Sequence, residues 1–216
     1  MYKIDLHTHS IASPDGSLTK DDYRSMLDNG VLDCIAVTDH NTIAFALALR
    51  ADLGNHIIVG EEITTLDGEI IGLYLESVIQ AGMTAAQTVA AIKQQGGLVY
   101  IPHPFESLRK ALSLDMLNAI AQDVDIVETH NGRAFFQNKT KQVEAWAFEH
   151  HLPGAASSDA HGRHGWGETH TVVDQAPTRV NLLKLLSAAT FKVARPSLHS
   201  ILYPKINRIR RRYYNA

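Results

Sequence analysis

The sequence predicts an α/β fold in which helices cover a parallel sheet that is either open or closed into a barrel. Short apolar runs with strand character alternate with helical stretches along the chain, as in parallel α/β folds. Several of these runs are rich in Val, Ile and Leu, which is typical of strands buried on both faces. The length of 216 residues fits one domain better than two. The predicted strands cover residues 2–7, 34–38, 57–60, 70–75, 98–101, 126–128 and 154–157.

Caps and turn signals place further elements between these strands. Thr19 suits the N-cap of a first helix, because Asp22 three residues later can complete a capping box. The Asp-Gly pair at 67–68 is a hairpin signal, so we expect 63–65 to pair antiparallel with 70–75. The other predicted helices cover 84–95, 114–123, 136–150 and 178–189.

The composition is that of an ordinary globular protein. Hydrophobic residues make up 45% of the chain and charged residues 20%, and the net charge of −3 argues against a nucleic-acid binder that works through overall charge. The single cysteine, Cys34, lies in an apolar run and is expected to be a buried thiol, which excludes a disulfide scaffold and favours a reducing compartment. No apolar run approaches the roughly 20 residues of a membrane span, and MYKIDLHTHS lacks a signal-peptide core, so we expect a cytoplasmic protein.

Polar residues cluster where the predicted strands end. The first strand runs into His7-Thr8-His9, and residues two apart in a strand face the same side, so both imidazoles can point at one metal ion. Such a pair alone is equally consistent with two surface histidines. Six strand ends in succession carry His, Asp or Glu, however, and catalytic groups gather at the C-terminal face of such sheets. The candidate metal ligands are His7, His9, Asp15, His40, Glu62, His103, Asp159 and His161.

These ligand types indicate the chemistry. Imidazoles and carboxylates without thiolates suit Zn, Mn or Fe(II). Eight candidate ligands are too many for one tetrahedral ion, and a carboxylate such as Glu62 can bridge two ions. The sequence therefore favours a site for two or three divalent metal ions, an arrangement that activates water and holds a phosphoryl group in hydrolases.

The same residues stand in motifs that follow one another along residues 5 to about 165: His7-x-His9, Asp15-Gly16, Thr38-Asp39-His40, Gly60-x-Glu62, Pro102-His103-Pro104 and Ser158-Asp159-Ala160-His161. In order and approximate spacing this set resembles the PHP (polymerase and histidinol phosphatase) family, in its short stand-alone phosphoesterase branch. The resemblance implies a distorted (β/α)7 TIM-like barrel, here residues 1–195, with a basic extension, 196–216, packed on it. It also implies divalent metals and hydrolysis of phosphoesters by a metal-bridging hydroxide.

The resemblance also implies which ion each ligand holds. The first ion would be bound by His7, His9, Glu62 and Asp159. Glu62 would bridge to a second ion, which His103 also binds. The third ion would be bound by Asp15, His40 and His161. Asp39 would orient a ligand without binding an ion itself.

Two positions leave alternatives open. Many family members have a His in the hairpin where this chain has Glu69, so Glu69 is either a carboxylate ligand or an ordinary turn residue. Some members have a His or Cys ligand after the strand at 126–128. His130 is therefore expected to bind metal or substrate, with Asn131 as a further candidate for the substrate.

Positive charge near the strand ends is expected to bind the phosphoryl oxygens of a substrate. Arg133 is the first candidate, because its planar fork can take two oxygens and stabilise the charge that develops. Arg109 comes next, and Arg163 and His164 could close over the substrate. The leaving oxygen is expected to take a proton from an ion-bound water or from an imidazole near His161.

The C-terminal tail is basic and supports two interpretations. Five positive charges between residues 205 and 212 could attract a polyanion. Alternatively, the tail is a helix whose apolar face packs on the barrel while its charges remain in water. That face would consist of Ile201, Leu202, Ile206 and Ile209.

The leading hypothesis is a metal-dependent phosphoesterase that hydrolyses a phosphomonoester or phosphodiester of a small molecule, a nucleotide or a short oligonucleotide. A histidinol-phosphatase-like phosphatase is the other family precedent. Amidohydrolases also place His-x-His on a first barrel strand, but they commonly use a carboxylated lysine, and no lysine stands at a predicted strand end. A PHP-like module that binds metal without catalysis is the third class. The sequence leaves the oligomeric state open.

Overall fold

The computed structural model describes residues 1–106, 109–134 and 139–214. The strands in these residues are β1 (Tyr2–Asp5), β2 (Cys34–Val37), β3 (Ile57–Thr64), β4 (Glu69–Leu73), β5 (Leu98–Ile101), β6 (Ile126–Asn131), β7 (Gly154–Ser157), β8 (His170–Val173) and β9 (Thr190–Lys192). The α-helices are α1 (Lys20–Asp28), α2 (Ala44–Leu53), α3 (Ala85–Gln94), α4 (Leu114–Ile120), α5 (Thr140–Glu149), α6 (Leu182–Leu186) and α7 (Leu198–Tyr214).

The strands form one mixed sheet that curls into a nearly closed barrel. Within the described residues the sheet has nine strands in the order β7-β6-β5-β4-β3-β2-β1-β8-β9. The strands β1 to β3 are parallel, as are β5 to β7, whereas β4 lies antiparallel between β3 and β5. Beyond the ends of β1 and β7, Thr8 and Ala160 form a parallel bridge, and the His9 N–H donates to the Ala160 carbonyl at 2.8 Å. This bridge draws the two sides of the sheet together.

All seven predicted strands are present. The predicted hairpin is confirmed as well, since Ile63 of β3 lies opposite Ile70 of β4. The sequence pattern does not predict β8, which pairs antiparallel with β1, or β9, which pairs antiparallel with β8. These strands have four and three residues, too few to show a period-2 pattern clearly.

The cap predicted for the first helix is present. The Thr19 side chain accepts a hydrogen bond from the Asp22 N–H, and the Asp22 carboxylate accepts one from the Thr19 N–H, which completes the predicted capping box of α1. The sequence pattern does not predict α2, whose N-cap, Ile43, makes no side-chain hydrogen bond. The fifth helix begins at Thr140, and the predicted start at 136 lies outside the described residues.

Alternate strand residues pack into two apolar clusters. Ile35 and Val37 of β2 belong to the cluster between the sheet and its helices. Cys34 and Ala36 face the other way, with Tyr100 of β5, into the barrel interior. Cys34 is buried, so the prediction of a buried thiol is confirmed, and this burial raises the pKa of the thiol to about 12.

The last helix, α7, packs with a face other than its apolar one. Its Pro204 and Asn207 side chains are buried, whereas Leu202, Ile206 and Ile209 remain exposed. Hydrogen bonds of Asn207, described below, fix this rotation, so the predicted packing face is wrong. No helix in the described ranges is both long enough and apolar enough to cross a membrane.

Candidate metal centre

The residues that follow β1 begin a buried cluster of imidazoles and carboxylates. His7 and His9 are fully buried, and their Nε2 atoms lie 3.1 Å apart. The Glu62 Oε2 atom lies 3.5 Å from His7 Nε2 and 3.2 Å from His9 Nε2. The Asp159 Oδ1 atom lies 3.6 Å and 3.5 Å from the same two nitrogens. A carboxylate oxygen of Glu62 and one of Asp159 therefore both lie close to the same two imidazole nitrogens.

The spacing of His7, His9 and Asp159 is that of ligands around one metal ion. Ligand atoms placed tetrahedrally around a zinc ion at its usual bond lengths lie roughly 3.3–3.6 Å from one another. The separations measured here range from 3.1 to 3.6 Å. Two facing imidazole nitrogens need a shared proton or a cation between them, and a divalent ion also offsets the two carboxylates. His7, His9 and Asp159 therefore fit a divalent metal ion, and Glu62 lies beside them, within 3.5 Å of both imidazole nitrogens.

Two further clusters adjoin this one. The His40 Nε2 and His161 Nε2 atoms each lie 3.5 Å from an oxygen of Asp15. Across the site, His103 Nε2 lies 3.1 Å from Glu62 Oε1. Three groups of ligand atoms could each hold an ion, namely His7, His9 and Asp159; His7, Glu62 and His103; and His9, Asp15, His40 and His161.

The local backbone aims two of these side chains. His103 has φ 31° and Asp159 has φ 52°, both in the left-handed region that residues other than Gly seldom adopt. Such strain persists only where the surrounding structure imposes it, and it is common at functional sites. The Pro-His-Pro turn and the loop after β7 thus hold these two ligands in unusual positions.

Glu128 is a site residue that the sequence analysis does not assign a role. Its Oε1 lies 3.0 Å from His7 Nδ1 and accepts a hydrogen bond from the Tyr100 hydroxyl at 3.0 Å. Its Oε2 accepts from the His103 backbone N–H at 2.7 Å and from Asn131 Nδ2 at 2.8 Å. Glu128 therefore orients the imidazole of His7 and the loop of His103 from behind. The signal was its position at a strand end beside His130 and Asn131.

Glu69 lies at the edge of the clusters. Its carboxylate is buried, 3.9 Å from His40 Nδ1 and 4.0 Å from His103 Nε2. Burial and the negative charge of Glu62 raise the pKa of Glu69 to about 7. The Glu69 carboxyl group thus lies beside the ligand clusters. A divalent ion bound nearby would favour its ionised form.

Asp159 and His161 carry the charge states that metal binding requires, whereas hydrogen bonds to Asp159 and Glu62 outweigh burial and raise the pKa of His9 to about 9, so an ion must displace that proton. Burial tends to raise the pKa of Asp159, but the charges of Arg133, His7 and Arg109 outweigh it and hold that pKa well below its usual range. Burial and the positive charges of His9 and Arg133 lower the pKa of His161 to about 3. At neutral pH the Asp159 carboxylate is therefore ionised and the His161 imidazole is neutral.

Two arginines bring positive charge to the same place. Arg109 Nη1 donates to Asp159 Oδ2 at 2.5 Å, and Arg133 Nη1 donates to the same oxygen at 3.2 Å. The Arg133 Nε–H is buried without a partner among the described residues. Both side chains line a cavity of about 620 Å³, within the usual range for small-molecule sites. The other residues that line it are Pro14, Asp15, His40, Asn41, Glu62, Thr64, Glu69, His103, Lys110, Asp159, His161, Pro204 and Arg208.

Asn131 and His130 are placed beside the cavity instead of in it. Asn131 Nδ2 donates to Glu128 and to Asp159, so Asn131 holds the two carboxylates together. The register of β6 on β7 shifts between Glu128 and His130. Because of this bulge, His130 turns towards Glu144, 3.8 Å from its Nε2, and belongs to none of the ligand groups in the described chain.

The predicted lid residues are also elsewhere. Arg163 forms an ion pair with Asp22, the capping-box partner of Thr19 in the first turn of α1. The His164 ring lies against the rings of His199 and Tyr203, with centroids 5.4 and 6.1 Å away. Neither side chain lines the cavity, because the chain after His161 turns towards α1 and α7. In their place Arg208 of α7 reaches the site, where its Nη2 donates to Asp15 Oδ2 at 2.6 Å.

Comparisons with known proteins place the chain in a family. No family model matches it. It is 35% identical over 142 residues to the uncharacterized protein MJ1587 of Methanocaldococcus jannaschii, an alignment that covers 60% of this chain and 81% of that protein. The chain belongs to the family of MJ1587. A second relative of this chain is the uncharacterized protein MJ0417 of the same organism. It is 32% identical over 169 residues, which cover 74% of this chain and 65% of that protein.

This member of the MJ1587 family shares its fold with solved structures of low sequence identity. PsfC from Pseudomonas syringae has a TM-score of 0.67 at 16% identity, with 98% of both chains covered. A two-domain protein from Bacteroides vulgatus that contains a predicted PHP-like metal-dependent phosphoesterase has a TM-score of 0.65 at 20% identity, and the match covers 96% of this chain but 63% of that one. An amidohydrolase from Chromobacterium violaceum, with bound sulfate and no metal, has a TM-score of 0.62 at 15% identity, over 91% and 99% of the two chains. These similarities show a PHP-like barrel, which confirms the predicted fold class.

Proposed function

We propose that this protein is a metal-dependent phosphoesterase of the PHP type. The observation that carries the proposal is that carboxylates of Glu62 and Asp159 both lie at coordination distances from the imidazoles of His7 and His9, beside a cavity lined by arginines. Metal ligands alone fit many hydrolases. The arginines favour an anionic substrate, and the phosphoesterase description of the Bacteroides vulgatus protein supports a phosphoester.

Two or three ions would be held by the ligand sets of the cluster. His7, His9, Glu62 and Asp159 would hold the first, Glu62 and His103 the second, and Asp15, His40 and His161 the third, with Glu69 as a further carboxylate between His40 and His103. The donor set of imidazoles and carboxylates suits Mn, Zn or Fe. Divalent ions at such a site supply Lewis acidity, which activates water and offsets phosphoryl charge.

The protein's own residues bind and orient the substrate. Arg133 and Arg109 would bind the phosphoryl oxygens, since both face the cavity and the Arg133 Nε–H has no other partner in the described chain. Asp159 holds both guanidinium groups in place before the substrate arrives. His161 would serve as a ligand instead of a proton donor, because its low pKa leaves the imidazole neutral. Asn131 would position Glu128 and Asp159 and would not contact the substrate.

The substrate would be a phosphomonoester or phosphodiester of a small molecule, a nucleotide or a short oligonucleotide. A cavity of about 620 Å³ accommodates a nucleotide-sized ligand. Histidinol phosphate has the same reacting group on a smaller body and remains an alternative substrate.

The test is a phosphatase screen on protein that has been stripped of metal and reloaded separately with Mn, Zn or Fe. Nucleotides, short oligonucleotides and histidinol phosphate are the substrates, and released phosphate is the readout. We expect turnover with at least one metal, and a loss of at least about 100-fold in His9→Ala. Absence of phosphate release from every substrate, with metal content verified, would overturn the proposal.

An amidohydrolase is the second candidate, because the Chromobacterium violaceum structure of the same fold carries that description. The lysine that lines the cavity in the described chain, Lys110, is exposed and belongs to none of the ligand groups. A carboxylated lysine bridge is therefore disfavoured. Hydrolysis of amides but not phosphoesters by the metal-loaded protein would favour this candidate, and metal binding without turnover on either would favour a non-catalytic module.

A further inference from the structure

The C-terminal helix α7 contributes a cation to the cavity. Arg208 lines the cavity with Pro204, and its guanidinium donates to Asp15 Oδ2 at 2.6 Å. Nearly two hundred residues separate Arg208 from Asp15 in the sequence, so this contact exists because α7 docks against the loop after β1.

The docking of α7 does not depend on Arg208. Asn207 Nδ2 is buried and donates to the Asp15 carbonyl at 2.7 Å and to the His161 carbonyl at 3.0 Å. Arg211 donates to the Ile11 carbonyl from the next turn of the helix. A Cβ added at Gly162 would lie 2.4 Å from the Tyr203 ring, so this glycine leaves room for α7 to approach. The helix is thus anchored on both sides of the cluster, and Arg208 is carried along.

The Arg208 side chain is held less firmly than the buried Asn207 side chain. Its side chain is 63% exposed, and Asp15 is its partner in the described chain. The same Asp15 carboxylate faces His40 and His161, with which it would hold a divalent ion. Such an ion would offset the charge of Asp15 and weaken its attraction for the guanidinium. Arg208 could then turn to another anion in the cavity.

The geometry places that anion between two arginines. Asp15 holds Arg208, and Asp159 holds Arg133. These two carboxylates lie on either side of the His161 imidazole. His161 Nε2 is 3.5 Å from Asp15 Oδ1, and His161 Nδ1 is 3.3 Å from Asp159 Oδ1. Arg133 Nη1 itself lies 3.5 Å from His161 Nδ1. An anion lying over His161 is therefore within reach of both cations.

We infer that Arg208 and Arg133 form a two-sided clamp for an oxyanion over His161, and that α7 supplies one half of it. The identity of this oxyanion rests on the proposed function, under which it is the phosphoryl group of the substrate. A guanidinium contact made to the bound substrate as well as to the transition state affects KM more than kcat. Arg208 is thus a substrate-binding residue, and α7 is a wall of the site.

The test compares Arg208→Ala with Arg210→Ala, which removes an exposed cation of the same helix outside the cavity. Inorganic phosphate is the binding probe, measured by calorimetry on metal-loaded protein, and KM and kcat are measured alongside. Loss of a charged hydrogen bond should weaken phosphate binding in Arg208→Ala about 10-fold to 100-fold and raise KM similarly, with kcat within about twofold. Arg210→Ala should match the wild type.

A second variant tests the helix itself. Gly162→Ala places a methyl group against Tyr203 and should displace α7, weakening phosphate binding although Arg208 is intact. Metal content, determined by elemental analysis, should be unchanged in Arg208→Ala. The inference is overturned if Arg208→Ala binds phosphate as tightly as Arg210→Ala, if the wild type binds no phosphate, or if the loss follows a loss of metal.

The outcomes also separate this inference from the proposed function. If the wild type hydrolyses phosphoesters and Arg208→Ala leaves phosphate binding and KM unchanged, the clamp is wrong and the phosphoesterase stands. If no phosphoester is hydrolysed but Arg208→Ala still weakens phosphate binding, the clamp stands as an oxyanion site and the phosphoesterase is wrong.

Discussion

Glu128→Gln should weaken metal binding although Glu128 is not itself among the ligand groups. The wild-type carboxylate accepts four hydrogen bonds, two on each oxygen. The donors to Oε2 are the His103 backbone N–H and the Asn131 amide. A backbone N–H can only donate, so the carbonyl oxygen of the new glutamine should take the Oε2 position. Its NH₂ group should then face His7 and Tyr100.

This exchange changes the tautomer of His7. In metal-loaded wild-type protein, His7 Nδ1–H would donate to Glu128, which leaves the Nε2 lone pair for the ion. Opposite an NH₂ group, Nδ1 becomes the acceptor and Nε2 carries the proton, so Nε2 cannot bind a metal ion. Loss of such an orienting group typically costs 10-fold to 100-fold in metal affinity, or about 1.4–2.8 kcal/mol.

The assay is a competition titration of Zn or Mn against a chelator of known affinity, with wild-type protein alongside. Glu61→Gln is the matched control, because Glu61 is the buried neighbour of Glu62 and accepts a hydrogen bond from the Ile79 N–H, away from the ligands. We expect a weaker metal Kd in Glu128→Gln and an unchanged one in Glu61→Gln. Equal affinities in the two variants would refute the tautomer argument.

Three other predictions follow from the same contacts. Burial raises the pKa of Glu61 to about 7 from 4.5, so the folded state keeps a proton that the unfolded state loses, and stability falls as pH rises between these values. Urea titrations of wild type and Glu61→Gln give the difference in the free energy of unfolding between the two proteins. Relative to wild type, Glu61→Gln should be more stable at pH 8 than at pH 5 by on the order of 2–3 kcal/mol. An equal difference at both pH values would contradict this. Asp159→Asn should lose bound metal in elemental analysis and reduce hydrolysis about 100-fold or more, since it removes a ligand-type oxygen and the anion that pairs with Arg133; full metal content would count against the assignment. Thr19→Ala should lower the free energy of unfolding by about 1 kcal/mol through loss of the α1 cap, without changing metal affinity, and denaturant titration checks this directly.

The ligand cluster could be predicted from the sequence because strand ends carry positional information. Parallel strands of a barrel bring their C-terminal ends to one face, so residues such as His7, Glu62 and Asp159 are expected to meet even though they are far apart along the chain. The hairpin between β3 and β4 could also be predicted, from the turn signal Asp67-Gly68. In both cases a local pattern determines the arrangement.

The rest of the site depends on register and tertiary packing. His130 and Glu128 lie two residues apart on β6, yet a bulge separates the directions of their side chains, and single-sequence patterns do not reveal a bulge. Arg208 reaches the cavity because Asn207 binds two backbone carbonyls of the barrel, and its apolar neighbours Leu202 and Ile206 give no sign of that rotation. Long-range polar contacts of this kind have no sequence period.

Bound divalent metal should make this site hydrolyse phosphoesters. The most direct measurement is a titration of metal-free protein with Mn, Zn or Fe, in which phosphate release is followed together with the number of ions bound per chain. Turnover should appear as the ions bind and reach a plateau at two or three ions per chain, and Asp159→Asn should fail to reach it. Full metal occupancy without phosphate release, or turnover in protein free of metal, would show that this site is not a metal-dependent phosphoesterase.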